Sequence, residues 1–278
     1  MQSPFEMDAI LAAALAEDIG PGDITGNATI PASAQAVFRM NARQPLVTAG
    51  LVFLPKLFAM VDAQVCVTLH VGDGAAVDAG TCLATLEGPA RALLAGERTA
   101  LNLVQALSGV ATLTAQYVAA VAGTRATILD TRKTIPGWRA LQKYAVRCGG
   151  GTNHRMGLYD AVLIKDNHIA VAGGVTAAVN AARAAIPPGT TVQVECDTLV
   201  QLDEAIAARV DCVLLDNMDN ATLAEGVKRA HAAGVKAEAS GNVNLQTVRA
   251  IAQTGVDFIS VGKLTHSAVA VDIGLDEG

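Results

Sequence analysis

Beyond residue 123 the chain alternates short apolar, β-prone runs with helical stretches. The runs are ATILD (126–130), AVLIK (161–165), VQVEC (192–196), CVLLD (212–216), VKAEAS (235–240) and DFISVG (257–262). Each carries a polar residue near its end. Glu195, Asp216, Glu238 and Ser260 recur about every 21 residues, near the length of one strand, loop and helix. Near-continuous apolar strands separated by helices predict a parallel sheet covered on both faces. Six such units without a GxGxxG fingerprint predict an incomplete α/β barrel, not a dinucleotide-binding fold.

The first part of the chain has a different pattern. Asp8–Leu15 predicts a helix, followed by the turn-rich EDIGPGDITG. Val37–Met40 and Cys66–Val71 predict strands, and LHVGDGAAVDAGTCLATLEG carries turn signals at Gly72-Asp73-Gly74 and Ala79-Gly80. That hairpin pattern is shared with biotinyl and lipoyl carriers, but no lysine stands at its tip. A structural β-sandwich edge is therefore the better reading. From Ala90 to Val121, Leu93, Leu94, Leu101, Val104, Leu107 and Val110 recur at helical steps. Gly109 marks a break in that helix or a close packing point. The boundaries are an N-terminal α/β sandwich over residues 1–116 and a barrel over 117–267.

Composition narrows the classes. Of 278 residues, 51% are hydrophobic and 17% charged, enough to bury a sizeable core. Aromatics are only 3%, so the core is aliphatic and little is available to stack on nucleic-acid bases. A net charge of −6 is the opposite of what nucleic acid or an anionic membrane selects; neither is an expected partner. The start, MQSPFEMDAI, lacks the basic and apolar regions of a signal peptide, and no uninterrupted apolar run reaches the roughly 18 residues that span a bilayer. The five cysteines (Cys66, Cys82, Cys148, Cys196 and Cys212) form no CxxC pair. An odd count argues against a disulfide framework and for a reduced, cytoplasmic setting.

The negative total hides a local reversal. Asp130–His168 holds seven Lys or Arg against three Asp, a local +4. Concentrated positive charge in a concave site is how an acidic protein holds an anionic substrate. In barrels the reactive groups sit at the C-terminal strand ends. Those ends here carry Thr131, Arg132, Lys133, Lys165, Glu195, Asp216, Ser240-Gly241 and Gly262-Lys263. Arg132 and Arg155 offer planar forks for carboxylate or phosphate; Lys133 and Lys165 offer point charges. Arg139, Lys143 and Arg147, spaced by four on a predicted helix, read as a solvated or subunit-facing stripe. On spacing alone Arg98, beside Glu97 in mid-helix, reads as a solvated arginine. Glu195 and Asp216 could hold Mg²⁺ directly or through water, bind ribose hydroxyls, or offset positive charge on a sugar. SGN (240–242) and SVGKL (260–264) are small-residue turns in the position of a barrel phosphate cradle. The five histidines have no HExxH spacing, and no GxSxG elbow or Walker loop is present.

With these residues set out, ILDTRKTIPGWRALQKYAVRCGGGTNHRMGLYDAVLIKDNHI resembles the signature core of the quinolinate phosphoribosyltransferases, also called nicotinate-nucleotide pyrophosphorylases (carboxylating). The resemblance runs over nearly the whole chain through EDIGPGDITG, GERTALN, VECDTLVQLDEA, LLDNM, EASGNVNL and TGVDFISVGKLTHSAVAVDIGL. It implies an N-terminal α/β sandwich, rejoined by residues 268–278, and an incomplete barrel. It also implies transfer of phosphoribosyl from phosphoribosyl pyrophosphate to quinolinate, with loss of CO₂ and use of Mg²⁺, in NAD biosynthesis. The matching positions are Arg98, Thr131, Arg132, Lys133, His154, Arg155, Lys165, Glu195, Asp216, Ser240, Gly241, Asn242 and Gly262; Lys263 lies beside the last. Lys133, Glu195 and Asp216 take the catalytic roles, the two carboxylates doubling as metal ligands. The resemblance reverses the reading of Arg98, which would enter the partner subunit's site in a homodimer or higher oligomer. Asn242 stands where relatives often have glycine, and Trp138 where an aliphatic residue is common; Trp138 takes no role. Two rivals remain open: a related phosphoribosyltransferase with another acceptor, and a non-catalytic barrel that binds anionic metabolites.

Overall fold

A computed structural model describes residues 4–278; the first three residues of the MQSPFEMDAI start lie outside them. In chain order the elements are α1 (Pro4–Ile19), α2 (Ile24–Thr29), β1 (Gln35–Ala42), β2 (Leu46–Val47), α3 (Leu54–Val61), β3 (Cys66–Leu69), β4 (Ala76–Val77), β5 (Cys82–Pro89), α4 (Ala90–Ala120) and β6 (Thr127–Leu129). Then follow α5 (Arg139–Cys148), β7 (Val162–Ile164), α6 (Asp166–Ala172), α7 (Val175–Ala185), β8 (Val192–Cys196), α8 (Leu199–Ala207), β9 (Cys212–Asp216), α9 (Asn220–Ala232), β10 (Lys236–Ser240), α10 (Val248–Gln253), β11 (Phe258–Ser260), α11 (Lys263–His266) and β12 (Ile273–Glu277). They form two compact units. One holds the chain up to Ala115 with Thr134–Gly150 and Leu264–Gly278; the other holds Gln116–Lys133 and Gly151–Lys263.

The first unit is built on a four-stranded sheet ordered β12-β1-β5-β3, whose pairs are all antiparallel. β12 thus returns the end of the chain to the first sheet. The helix α4 buries Leu93, Ala100, Leu101, Val104, Leu107 and Ala111, a stripe at three- and four-residue steps. Gly109 does not break it. A Cβ there would lie 2.2 Å from the Val269 carbonyl oxygen, so this glycine lets the 269–270 segment cross the helix at backbone contact. α4, although Arg91, Glu97 and Arg98 interrupt it, is long and apolar enough by length and composition to cross a bilayer, but half of its most apolar stretch is buried inside the protein. Such a helix is the core rod of the unit.

The segment 134–150, which the sequence assigns to the barrel, packs with the first unit. Tyr144 donates its hydroxyl to Asp73 at 2.6 Å, and Gln142 donates to the Thr265 carbonyl at 2.5 Å. Burial first, and Asp73 second, push the Tyr144 hydroxyl well above its ordinary pKa. The basic stripe of α5 therefore needs correction: Lys143 is fully buried, while Arg147 remains exposed. Half of α5 is buried, Lys143 included, so its cations do not share one solvated face.

The second unit is the expected parallel sheet, six strands ordered β6-β11-β10-β9-β8-β7. Parallel register aligns Glu195, Leu214, Glu238 and Phe258 at one level. Asp216 and Ser240 align one level nearer the C-terminal ends. Side chains two apart share a face. One face thus carries Gln193, Glu195, Leu214, Asp216, Glu238 and Ser240. The other carries Val194, Cys196, Val213, Leu215, Ala237 and Ala239, all buried. Gly226 brings α9 close onto β9, since a Cβ there would meet Leu215 at 3.0 Å. α8 opens with a capping box in which the Gln201 amide donates to Thr198 Oγ1, and the Thr198 amide donates to Gln201 Oε1. Cys196 behaves as a small apolar residue: burial pushes its thiol up to about 12.

Candidate active site

A cavity of about 390 Å³ opens at the C-terminal ends of the parallel strands, the expected position in a barrel. It gathers nine of the residues singled out in the sequence: Thr131, Arg132, Lys133, His154, Arg155, Lys165, Glu195, Asp216 and Ser240. Leu163, Leu214, Glu238 and Ser260 complete its lining. Gly241, Asn242 and Gly262 lie in the turns after β10 and β11, Lys263 opens α11, and none of the four is among the lining residues. Lys263 begins a helix of only four residues, too short to lend much of a dipole to a phosphate cradle. Arg98 is an exposed residue of α4 in the first unit.

The cationic side follows from two buried or capped turns. Asp130 is fully buried at the end of β6. Its Oδ1 accepts the His154 amide at 2.9 Å and its Oδ2 accepts Asn153 Nδ2 at 2.5 Å. Asp130 is a strut that fixes the Asn153-His154-Arg155 turn. The Arg155 amide donates to His154 Nδ1 at 2.7 Å. An accepting Nδ1 carries no proton, so the ring proton sits on Nε2. That nitrogen lies 3.5 Å from Glu238 Oε2. Arg155 donates to the Ala161 carbonyl at 3.1 Å. Burial, then the Arg132 charge, lower its pKa, with Asp160 acting in the other direction. Two guanidinium groups held near each other make a place where an anion is favoured. Lys165 precedes α6, and its amide donates to His168 Nδ1 at 2.9 Å.

The anionic side occupies neighbouring strands. Glu195 accepts Lys165 Nζ at 2.5 Å, an ion pair joining the ends of β7 and β8. Asp216 accepts Asn217 Nδ2 at 2.5 Å, and the Asn217 amide donates to the Ser240 carbonyl at 3.0 Å. Asn217 and Asn242 both have left-handed backbones, φ 53° and 50°, a region where asparagine is the best-tolerated residue after glycine. Asn242 Nδ2 donates to Asn217 Oδ1 at 3.2 Å. The side chain at 242 therefore braces the Asp216 turn. Gly241, at φ +91°, has no room for a Cβ, which would sit 2.2 Å from Asn217 Oδ1.

For Mg²⁺, no group of three His, Cys, Asp or Glu side chains is arranged to hold a metal among the described residues. Two carboxylates on adjacent strands fit an ion that takes most of its ligands from water and substrate phosphate, the usual arrangement for Mg²⁺.

Sequence spacing had marked Glu238 and Ser260 as polar strand ends without giving them a place in the site. Glu238 is 2% exposed. Its Oε2 accepts Gln193 Nε2 at 2.8 Å, while Oε1 is buried with no hydrogen-bond partner. A buried polar atom left so costs about 1–3 kcal/mol. The period-two alternation of VKAEAS, which puts Glu238 on the same face as Ser240, was the available signal.

The quinolinate phosphoribosyl transferase N-terminal domain matches residues 23–108, and the C-terminal domain of the same family matches residues 110–276. The nicotinate-nucleotide pyrophosphorylase [carboxylating] of Mycobacterium leprae (strain TN) is 46% identical over 286 residues, covering 99% of this chain and 100% of that protein. A probable enzyme of the same name from Bacillus subtilis (strain 168) is 44% identical over 260 residues, 94% of this chain and 89% of that one. The solved nicotinate-nucleotide pyrophosphorylase from Francisella tularensis superposes with a TM-score of 0.96 at 40% identity, covering 100% of this chain and 98% of the other. With both halves of the chain matched and a parallel sheet that gathers the signature residues around one cavity, this protein belongs to the quinolinate phosphoribosyl transferase family.

Proposed function

We propose that this protein transfers the phosphoribosyl group of phosphoribosyl pyrophosphate to quinolinate with loss of CO₂, giving nicotinate mononucleotide and pyrophosphate in NAD biosynthesis. One observation carries the reading. A single cavity joins Arg132, Lys133, Arg155 and Lys165 to the carboxylates Glu195 and Asp216. Such a site suits a dianionic acceptor beside a sugar that becomes cationic.

Quinolinate carries two ring carboxylates, and Arg132 and Arg155 offer forks that match them. The repulsion between those guanidinium groups is relieved when a dianion enters. As the bond from ribose C1 to pyrophosphate breaks, positive charge grows at C1, and the lone pair of the ring nitrogen forms the new bond. Glu195 and Asp216 stabilise that charge where it develops. The resulting pyridinium draws in the electron pair of the carbon–carboxylate bond as CO₂ departs, and a solvent proton takes that pair. Lys133 and Lys165 orient carboxylates; the pairing of Lys165 with Glu195 also links the acceptor side to the sugar side. Mg²⁺ at Glu195 and Asp216, held largely through water, would neutralise charge on the departing pyrophosphate.

We further assign a homodimer in which Arg98 of the partner subunit completes the acceptor site. The exposure of Arg98 on α4 and the family motif around it support this. A cytoplasmic setting is supported by five free cysteines. Chromatography of reaction mixtures, with and without Mg²⁺, tests the function. Nicotinate mononucleotide should form from quinolinate and not from other pyridines or pyrimidines. Product from a different acceptor would instead support the related transferase, and binding of both substrates without CO₂ release would support a non-catalytic barrel.

A further inference from the structure

Glu238 adds a third carboxylate to the cavity beside Glu195 and Asp216. It lies deep, at the level of Glu195 and Leu214 and one level below Asp216. Its Oε2 is fully engaged by Gln193 Nε2 at 2.8 Å, with His154 Nε2 at 3.5 Å. These contacts fix the orientation of the carboxylate. Glu238 lines the cavity, and its Oε1 meets no donor. An acceptor held rigidly without a donor is a place prepared for one.

The two substrates of the proposed reaction differ in what they can donate. Quinolinate dianion has only acceptors: four carboxylate oxygens and a ring nitrogen. The pyrophosphate and 5-phosphate groups of the other substrate are also acceptors. The sole strong donors on either molecule are the ribose hydroxyls. We propose that Glu238 is a third substrate-binding carboxylate, whose Oε1 accepts a hydrogen bond from a ribose hydroxyl of phosphoribosyl pyrophosphate. The assignment rests on the proposed function for the identity of the sugar. It also gives Glu238 a discriminating role. Its charge disfavours a quinolinate carboxylate at the sugar position, leaving the Arg132 and Arg155 side as the place where that dianion gains.

The test replaces one atom. In Glu238→Gln the amide oxygen keeps the Gln193 donor, so the amide nitrogen occupies the Oε1 position; the hydroxyl can then only accept from a neutral amide, and the charge-assisted bond to a carboxylate is lost. Calorimetric titration of the wild-type and variant proteins with phosphoribosyl pyrophosphate, and separately with quinolinate, reads the effect. The expected result is a loss of about tenfold or more in affinity for phosphoribosyl pyrophosphate, with quinolinate affinity within about twofold and an unchanged melting temperature. Unchanged sugar affinity overturns the proposal, and so does an equal loss for both substrates, which would mark a structural role. If the glutamine variant does not fold, Glu238→Asp retains the charge and withdraws the acceptor. The same selective loss is then expected, and the same two outcomes overturn the assignment. A wild-type protein that binds no phosphoribosyl pyrophosphate would overturn the functional reading as well. Wild-type binding with an indifferent variant removes Glu238 alone.

Discussion

The two sheets of this protein put the same period-two alternation to opposite uses. In β1 of the first unit, Met40 and Ala42 are buried while Gln35, Val37 and Arg39 are exposed. One face is core and the other meets water, as in most antiparallel sheets. In β8, β9 and β10 the apolar face lies under helices, and the other face carries Glu195, Asp216 and Glu238. Covered on the outside, these strands can direct charge into a cavity. The first sheet therefore carries stability in its buried positions, whereas the second separates stability, on its helix side, from chemistry, on its inner side.

Substitutions can break that comparison. The largest effect should come from Lys165→Ala, which removes the partner of Glu195 inside the cavity. Turnover should fall by about 100-fold or more, with little change in melting temperature because the Lys165 side chain is 46% exposed. Steady-state rates beside a thermal melt would show it, and near-normal turnover would remove Lys165 from the site. Arg98→Ala should be nearly as damaging if the site is shared. Mixing it with inactive Lys133→Ala protein should then restore part of the activity through hybrid dimers; full activity of Arg98→Ala alone would exclude sharing.

The converse belongs to the packing positions. Gly109→Ala sets a Cβ against the Val269 backbone and should cost about 1–3 kcal/mol in urea unfolding, with KM values unchanged for the folded fraction. Thr198→Ala removes the cap of α8, on the helix side of the parallel sheet, and should cost about 1 kcal/mol without altering turnover. A drop in turnover would mean that the two faces of that sheet are coupled.

The smallest effect depends on pH. Asp257 accepts the Ala237 amide at 2.9 Å and lies 2.8 Å from His231 and 2.7 Å from Arg125. Burial raises its pKa, but the amide, the imidazole and the guanidinium together hold it below the usual carboxylate value. A carboxyl depressed by folding lends stability above its unfolded pKa, about 3.9, and loses that contribution as pH falls through the folded value. The stability gap between wild type and Asp257→Asn should therefore be widest at neutral pH and close in acid. A gap that stays constant down to pH 3 would argue against the depression.

Much of the second unit was legible because its strands are buried on both faces, which makes each run apolar, short and bounded. The polar ends Glu195 and Asp216 were visible for the same reason. Glu238 was visible as a polar position, but its role was not. Its partners Gln193 and His154 lie 45 and 84 residues away; the register of β8, β9 and β10 brings the first to it, and the turn held by Asp130 brings the second. Asp130 was counted with the charged segment; its burial as a strut depends on a turn more than 20 residues further on. The stripe reading of α5 failed at Lys143 because Arg139, Lys143 and Arg147 keep a helical spacing typical of a wet surface. Nothing local reveals that Lys143 is enclosed.

The interleaving of the two units also bears on how the protein is made. β1 needs β12 as its neighbour, yet the whole parallel sheet is synthesised between them. A nascent chain emerging from the ribosome cannot complete its first-encoded sheet until its last strand has been translated. During that interval one edge of β1 is an unpaired template. The early unit should therefore be where molecular chaperones engage, and where truncated translation products aggregate.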